Sequence, residues 1–421
     1  FFLTPQSLYV LLVDDRRQHT EFDYWFNIIR ILGGNSSILV VLNEKNYKSI
    51  TNFSLKTYSE RYPELNIERR DVDFSVEDGR FEGLSRKIQE MLSNLEHVGD
   101  ELPAKWILIR TKLEQLKGRN YISVEEYFRI CDSHGIKEED KKLLLSKYLH
   151  NLGVLLHFQD DSSLSNTIFL NPQWVVHGIY SILSDKQLEK NNGRFSKTWL
   201  FKLWTTKGYS FQEKNLLLNL MRKDNLDLCY QMNFSHKDEY IFPQLLPAEK
   251  PDYEWNDKRN LEFRFQYPFM PKGIIPHLIV RLSSFISKNG LDTDLVWQKG
   301  VVFIKNDDIR NKKDIDEEDL TKAEVIEGIN KDGIRSINIR ISGLDQEKKE
   351  LLAIIRKELF DIHKRFGNIL FYQKIPCNCE ACLASMNPHF FDYDYEIVRR
   401  LQAKVFFVDC GKSFQKVEIP R

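Results

Sequence analysis

The sequence predicts an α/β segment followed by an α+β architecture, and three observations carry that prediction. From Ser7 to Leu95, apolar strand-like runs alternate with amphipathic helical stretches, the order of a parallel sheet with crossover helices. From Lys147 to Pro247, a plan of helix, short strand, polar turn and returning strand occurs twice. From Leu261 to Phe366, strands of alternating polarity accompany a long amphipathic helix, which suits a helix packed on an antiparallel sheet.

Composition narrows the function classes. Lys plus Arg and Asp plus Glu are equal at 61 each, so no global electrostatic pull draws the chain to nucleic acid or to acidic membranes. Charged residues at 29% and aromatics at 12% fit a soluble globular protein of several domains. No apolar run approaches the roughly 20 residues that a membrane-spanning helix requires, so no membrane partner is expected. The opening FFLTPQSLYVLLVDD lacks an initiator Met and a basic segment before its apolar run, and reads as chain cut from something longer rather than as a signal peptide. Six cysteines, three of them between Cys377 and Cys382, do not form a secreted disulfide framework, and the expected location is cytoplasmic.

Taken in order, Ser7 to Asp14 is a near-continuous apolar run, expected as a parallel strand buried on both faces. Glu21 to Leu32 follows as a helix with Phe22, Trp25, Phe26, Ile29 and Leu32 on one stripe, closed by Gly33-Gly34-Asn35. Ser37 to Leu42 is the next buried strand, Thr51 to Arg61 a helix, Ile67 to Phe74 a third strand and Phe81 to Leu95 the closing helix. A domain cut falls between Val98 and Leu102. Asp100 to Gly118 then enters a helix with Trp106, Ile109, Leu113 and Leu116 on one face. Ser123 reads as an N-cap with Glu126 as its capping-box partner, for a helix running to His134-Gly135.

Glu138 to Asn151 is the next helix, and it leads into the stretch round which the chain is organised, Lys147 to Val175. Gly153 ends the helix as a C′ residue, Val154 to Phe158 forms a strand, Gln159 to Asn166 turns, and Thr167 to Leu170 returns to Asn171-Pro172 and a helix from Gln173 to Leu183. The plan recurs as a helix from Leu216 to Arg222, a strand from Leu226 to Met232, a polar turn from Asn233 to Asp238 and a return strand from Glu239 to Phe242. Identity between the two units is slight, and any α+β protein supplies such hairpins, so periodicity leaves repeat and coincidence both open.

Pro247 to Arg259 is charged and proline-bearing, the composition of a linker. Leu261 to Tyr267 alternates as a half-buried strand, and Pro271 to Ser287 holds a helix. Val296 to Ile304 and Ser336 to Ile341 are strands separated by the charged stretch Lys305 to Ile334. Glu350 to Phe366 is a helix with Leu351, Leu352, Ile355, Leu359 and Ile362 on one stripe.

Several spaced blocks resemble the Roc-COR tandem of the Roco family: RRDVDF from Arg69, LPAKWILIR from Leu102, LHNLGVLLHFQDD from Leu149, LNPQWV from Leu170 and LLAIIRKELFDIHKRF from Leu351. The resemblance implies that residues 1–98 are the C-terminal part of a Roc (Ras-like GTPase) domain and 99–255 a winged-helix-like COR-A half. Residues 256–375 would be an α+β COR-B half that carries the dimer contacts, and 376–421 a Cys-rich, zinc-ribbon-like segment. It further implies a dimerisation and regulatory scaffold, a homodimer through COR-B, coupling to Roc and leucine-rich-repeat domains of a parent, and GTP or GDP as the family's ligand. By periodicity alone a stripe such as that of Glu350 to Phe366 is more often ordinary core than interface.

The chemistry of a GTPase is missing from this chain. No G-x-x-x-x-G-K-[ST] occurs, so no P-loop cradles the β- and γ-phosphates or holds Mg²⁺, and no catalytic residue is assigned. Where the family places Asn-Lys-x-Asp, the chain has Asn43-Glu44-Lys45-Asn46. Asn43 matches and is the one candidate guanine contact, while an amide at Asn46 lacks the carboxylate that accepts from two guanine nitrogens. Asp73-Phe74-Ser75-Val76 also departs from the Ser-Cys/Ala-Lys loop of that family. A degenerate, nucleotide-incompetent domain is expected. The alternative is a fragment of an active GTP-hydrolysing parent whose P-loop lies upstream, and a plain polar turn with no ligand accounts for Asn43 equally. No kinase signature is present.

Helix, helix, helix, wing is also the order of a winged-helix DNA-binding domain. Lys141, Lys142 and Lys147 are offset by Glu138, Glu139 and Asp140, and Asp160 and Asp161 sit in the wing, so nucleic acid is not an expected partner.

The motif with definite chemistry is Cys377-Asn378-Cys379-Glu380-Ala381-Cys382, followed by Cys410. This spacing lets thiolates converge on one soft cation, and Cys410 can close a tetrahedral site after a strand from Lys404 to Asp409. Zinc is the natural occupant, in a structural role, with His389 as the competing fourth ligand. Unmetallated thiols or a redox role stay open as alternatives. Cys131 and Cys229 fall in helix and strand patterns and are expected in the core.

Overall fold

The computed structural model describes residues 7–14, 20–34, 36–44, 53–159, 164–222, 226–232, 238–257, 260–289, 293–305, 320–330, 333–367, 369–385 and 387–419. The chain divides into two compact units, Phe1–Gly178 with Phe366–Asn368, and Ile179–Arg365 with Ile369–Arg421.

The first unit opens with three parallel strands, Leu8–Asp14, Ser37–Asn43 and Ile67–Val72, paired in chain order. The middle strand is buried from Ile38 to Asn43, as its apolar run requires. Leu8–Asp14 is the edge of the described sheet. Its Tyr9, Leu11 and Val13 face the core, while Val10 and Leu12 are 48% and 58% exposed, which corrects the expectation of burial on both faces. On the helix Phe22–Leu32 the buried residues are Phe22, Phe26, Ile28 and Ile29, and Trp25 stands outside the stripe beside Tyr24. Helices Leu55–Arg61 and Arg80–Ser93 complete the alternation; Thr51, Asn52 and Asn35 lie outside the described residues.

The helix Ala104–Gln115 buries Ile109 and Leu113, with Trp106 and Leu116 packed beside them. A strand absent from the expectations, Tyr121–Ser123, precedes the helices Val124–Ser133 and Glu139–Asn151. It pairs with Thr167–Phe169, which also pairs with Leu156–His157. The Ser123 hydroxyl accepts from the Glu126 amide at 3.1 Å, but the Glu126 carboxylate is held by both terminal nitrogens of Arg119. The cap is therefore half of the expected box.

The second unit repeats this plan. After the helices Pro172–Leu183, which straddles the division, and Lys186–Lys190 come the strand Arg194–Ser196, the helices Lys197–Thr206 and Phe211–Met221, and the strands Tyr230–Gln231 and Glu239–Ile241. The strand order is the same as in the first unit. Equivalent roles fall at one constant offset. Ser123 and Ser196 cap the following helix, and Gly135 and Gly208 turn between helices at φ +80° and +85°. Tyr127 and Leu200, Cys131 and Trp204, and Leu145 and Leu218 are buried. The repeat is thus conserved in backbone roles rather than in side chains. The strand expected from Leu226 to Met232 is confined to Tyr230–Gln231, and residues 233–237 lie outside the described ones.

A seven-stranded sheet of described residues follows, in the order Val296–Trp297, Gly300–Ile304, Lys322–Ile329, Arg335–Ser342, Leu261–Tyr267, Tyr372–Pro376 and Phe390–Asp392, antiparallel throughout. Ile274–Arg281 and Asp345–Arg365 are its helices. Leu351, Ile355, Leu359 and Ile362 are fully buried within the chain and Leu352 partly, so that stripe is core. The strand expected from Val296 to Ile304 is instead a tight hairpin, and Gly300 is why it closes. A Cβ there would press on the Trp297 ring and lie 2.8 Å from the Val325 carbonyl oxygen. Gly300→Ala is expected to lose about 1–3 kcal/mol through overpacking, read as a lower urea midpoint at unchanged slope.

The expected linker is a strap. Lys250 Nζ donates to Glu324 at 2.6 Å, Tyr253 donates its hydroxyl proton to the same carboxylate, and Arg340 grips it with two nitrogens at 2.6 and 3.0 Å. Trp255 lies under the Arg340 guanidinium, which also meets Asp257. Burial pushes the Glu324 carboxyl up, and these donors more than reverse it, leaving its pKa lowered. Among the described residues no helix is long and apolar enough to cross a membrane.

Candidate metal centre

Three short pieces of chain deliver the four thiols. Cys377 follows the strand Tyr372–Pro376, and its amide donates to the His389 carbonyl at 2.7 Å. Cys379 caps the single turn Glu380–Leu383, which contains Cys382. Cys410 follows the strand Phe407–Asp409, which pairs with Lys416–Glu418. The hairpin closes through Cys410 N–H to the Gln415 carbonyl at 2.9 Å and Phe414 N–H to the Cys410 carbonyl at 2.8 Å.

All four thiols are buried, and their sulfurs lie within 4.8 Å of one another. Cys410 Sγ is 3.8 Å from Cys379 Sγ and 3.6 Å from Cys382 Sγ. A disulfide needs about 2.05 Å, so these are thiols held apart. Four sulfurs placed about 2.3 Å from a central zinc would be about 3.8 Å apart along each tetrahedral edge. The spacing fits.

Donors surround the sulfurs. Cys382 Sγ accepts from the His389 amide at 3.3 Å, Cys410 Sγ accepts from the Lys412 and Ser413 amides at 3.4 Å, and the Ser413 hydroxyl lies 3.4 Å from Cys379 Sγ. Burial opposes charge on Cys410, yet the Ser413 hydroxyl and these amides bring its thiol down to about 5. Ser413 likewise lowers Cys379, while burial raises Cys377. The set can hold thiolate and can hold a soft metal ion; an all-sulfur shell does not suit the oxygen-seeking Mg²⁺ or Ca²⁺.

His389 is not in the four-ligand group. Its ring packs edge-on against Phe391 at 4.8 Å and against Gly411, where a Cβ would meet the ring, and its main chain serves the site instead. Lys412 and Ser413 are site residues that the sequence reading missed; their signal was the short polar run just after Cys410, whose amides can only point back at the sulfur. Cys131 and Cys229 are separate and buried, and burial pushes the Cys229 thiol up to about 12.

Asn43 ends the central parallel strand. Its side-chain oxygen accepts from the Phe74 amide at 3.3 Å, and the buried Asp73 carboxylate accepts from the Ser75 amide and hydroxyl. That acceptor thus ties two strand ends together. Glu44 lies 3.8 Å from Arg69, and Lys45 and Asn46 lie outside the described residues.

Two family models match the chain, "C-terminal of Roc, COR-A domain" over residues 103–246 and "C-terminal of Roc, COR-B domain" over residues 258–421, the second including all four cysteines of the centre. A Roc-COR-CHAT protease of Runella zeae is 25% identical over 308 residues, which is 70% of this chain and 31% of that protein. Cyclic GMP-binding protein C of Dictyostelium discoideum is 21% identical over 422 aligned residues, 93% of this chain and 15% of that protein. The chain therefore spans less than a third of these relatives. Among solved structures, the GDP-bound Methanosarcina barkeri Roco2 RocCORdC is 32% identical, covers 58% of this chain and 74% of its own, and superposes with a TM-score of 0.47.

Proposed function

The chain belongs to the Roco family, and we propose that it is the COR-type dimerisation and regulatory module of a larger parent protein, stapled by a structural zinc ion. The observation that carries this reading is the ordered pair of COR-A and COR-B matches, which together span most of the chain. We read residues 1–98 as the C-terminal part of a Roc domain, 99–255 as COR-A with two winged-helix-like repeats, 256–375 as COR-B, and 376–421 as its zinc-ribbon-like end. Cys377, Cys379, Cys382 and Cys410 would hold the zinc. It would act there as a cross-link, since four thiolates leave no position for a water or substrate. The reducing cytoplasm would keep these thiols available.

We read the Roc segment as unable to bind GTP or GDP by itself. No P-loop is present in the sequence, and the acceptor of Asn43 is engaged by Phe74. Because Leu351, Ile355, Leu359 and Ile362 are spent on the chain's own core, we read the proposed dimer contact as lying on other COR-B surfaces.

Light scattering with inline zinc analysis tests the reading. A dimer mass with one zinc per chain is expected, with zinc lost to a strong chelator. A metal-free monomer overturns it. Calorimetric titration with GDP and Mg²⁺ should show no binding, and a Kd tighter than about 100 μM (about 5.5 kcal/mol) would overturn the nucleotide part alone.

A further inference from the structure

A groove of about 750 Å³ opens in the second compact unit, away from the cysteine centre. It runs between the strand Arg194–Ser196, the strap at Pro247–Pro251 and the loop at Thr293–Asp294. We propose that this groove docks an extended, basic peptide segment of a partner protein, taken up as an added strand beside Arg194–Ser196. This goes beyond the COR assignment and depends on neither zinc nor dimerisation.

The walls are already fixed. Lys250 is held by Glu324 at 2.6 Å, Asp294 accepts from the Tyr230 hydroxyl at 2.9 Å, and Trp199 Nε1 donates to Gln187 at 3.3 Å. The floor is apolar and buried, from Leu188, Phe195 and Val296. A preformed groove with an apolar floor and polar rim is the form that binding sites take, because little ordering is left to be done on association.

The strand supplies the backbone chemistry. Arg194–Ser196 is the edge of its sheet, paired on one side with Glu239–Ile241. Lys197 donates to the Asp238 carbonyl and Phe242 donates to the Gly193 carbonyl, so the odd-numbered residues of this strand face the ladder. Alternation then turns the Arg194 carbonyl and the Ser196 amide outward, an acceptor and a donor spaced for an incoming strand. The turn into the edge uses two consecutive left-handed residues, Asn192 at φ +52° and Gly193 at +77°. At Gly193 a Cβ would lie 2.5 Å from the Phe242 carbonyl oxygen, so this approach admits only glycine.

Charge selects the occupant. Glu239 and Glu249 are exposed on the rim, and among the described residues neither side-chain carboxylate makes a hydrogen bond or an ion pair. Lys250 is tied to Glu324, which it shares with Arg340, and Arg194 is the other cation among the residues that line the groove. An acidic rim repels nucleic acid and anionic lipid and favours lysine or arginine on a peptide.

The test is selection of a random-peptide phage library against the full chain, followed by affinity measurement with the enriched synthetic peptides. Enriched peptides should carry lysine or arginine and bind with micromolar Kd. The double variant Glu239→Lys, Glu249→Lys should weaken them at least about tenfold, and Arg194→Glu should tighten them several-fold, a gain that misfolding cannot imitate. Failure to enrich any peptide, or binding that the charge variants leave unchanged, overturns the proposal. Mass and zinc content measured on the same variants should match the parent chain, which separates this outcome from failure of the COR reading.

Discussion

Cys410→Ser is expected to abolish the proposed zinc binding and to release residues 404–419 while the seven-stranded sheet, with its strand Phe390–Asp392, stays folded. Of the four clustered thiols Cys410 is the one outside the C-x-C-x-x-C run, so as a proposed ligand it would join the Phe407–Asp409 hairpin to the Glu380–Leu383 turn through the metal. What else joins them is a few contacts: Lys412 Nζ donates to the Ser385 hydroxyl and the Asn387 carbonyl, the Ser413 hydroxyl lies 3.4 Å from Cys379 Sγ, Gly411 packs on the His389 ring, and Val408, Val417 and Ile419 are buried. A piece this short cannot bury enough surface to order itself. In small zinc domains the metal contributes about 10–16 kcal/mol of apparent binding free energy at neutral pH, far more than those contacts. The sheet, by contrast, is anchored by Phe391 and Ile375 on the body's own core. Zinc per chain should fall from the proposed one to near zero, proteolysis should begin within 404–419, and far-ultraviolet circular dichroism should change little. Because zinc takes thiolates, loading of the parent chain should release protons, and affinity should decline as the pH is lowered. A variant that keeps its zinc and its protease resistance sinks the four-thiol assignment.

The elements that were readable in advance are those whose signal is local. Ser37–Asn43 announces itself as an unbroken apolar run, Leu261–Tyr267 as an alternation, and Ala104–Gln115 as a stripe of Trp106, Ile109 and Leu113. The cysteines were readable for the same reason, since spacing and softness of the ligands are local properties, and so was the family, from blocks spread over the chain. Choosing Cys410 over His389 needed the fold, because it depends on which hairpin meets the turn. Tyr121–Ser123 and Arg194–Ser196 were invisible: strands of three residues are defined by a partner's register rather than by their own pattern. Lys322–Ile329 was hidden because a charged stretch reads as solvated, whereas Glu324 is buried against Arg340, Lys250 and Tyr253. Leu8–Asp14 shows the converse limit. An apolar run does not reveal whether a strand lies in the middle of a sheet or at its edge.

Asp227→Ala is expected to cost about 3–5 kcal/mol of stability, the usual penalty for removing one partner of a buried ion cluster. The Asp227 side chain is fully buried, 2.6 Å from Arg365 Nη1 and 3.6 Å from Arg281 Nη1. Arg281 also donates to Glu358 at 2.6 Å, and removing Asp227 would take a buried carboxylate from between two guanidiniums, that of Arg281 only 10% exposed. His277 offers no relief: burial and the two arginines hold its pKa down near 4, and it is neutral at pH 7. Asp227 itself sits at φ +49°, a conformation that aspartate tolerates better than alanine, which adds backbone strain to the loss. Asp227→Asn keeps the shape and the backbone tolerance and should lose less. Replacing Asp227 and Arg365 together by leucine and methionine should recover part of the loss, because no uncompensated partner of that pair remains. The consequence reaches beyond stability. Asp227 belongs to the second helix-and-hairpin repeat, whereas Arg281 and Arg365 lie on the helices of the COR-B sheet. Tyr230 to Asp294 is a second tie between the same two parts, and the Lys250–Glu324 strap is a third. The second half of COR-A is therefore bound to COR-B, and the division between compact units falls at Gly178 and Ile179 rather than between the two family models. In Asp227→Ala the strap at residues 247–257 should become the first site of proteolysis, with zinc content unchanged. A melting temperature within about 2 °C of the parent chain, together with an uncut strap, would mean that the apolar packing alone joins the two parts and the carboxylate is incidental.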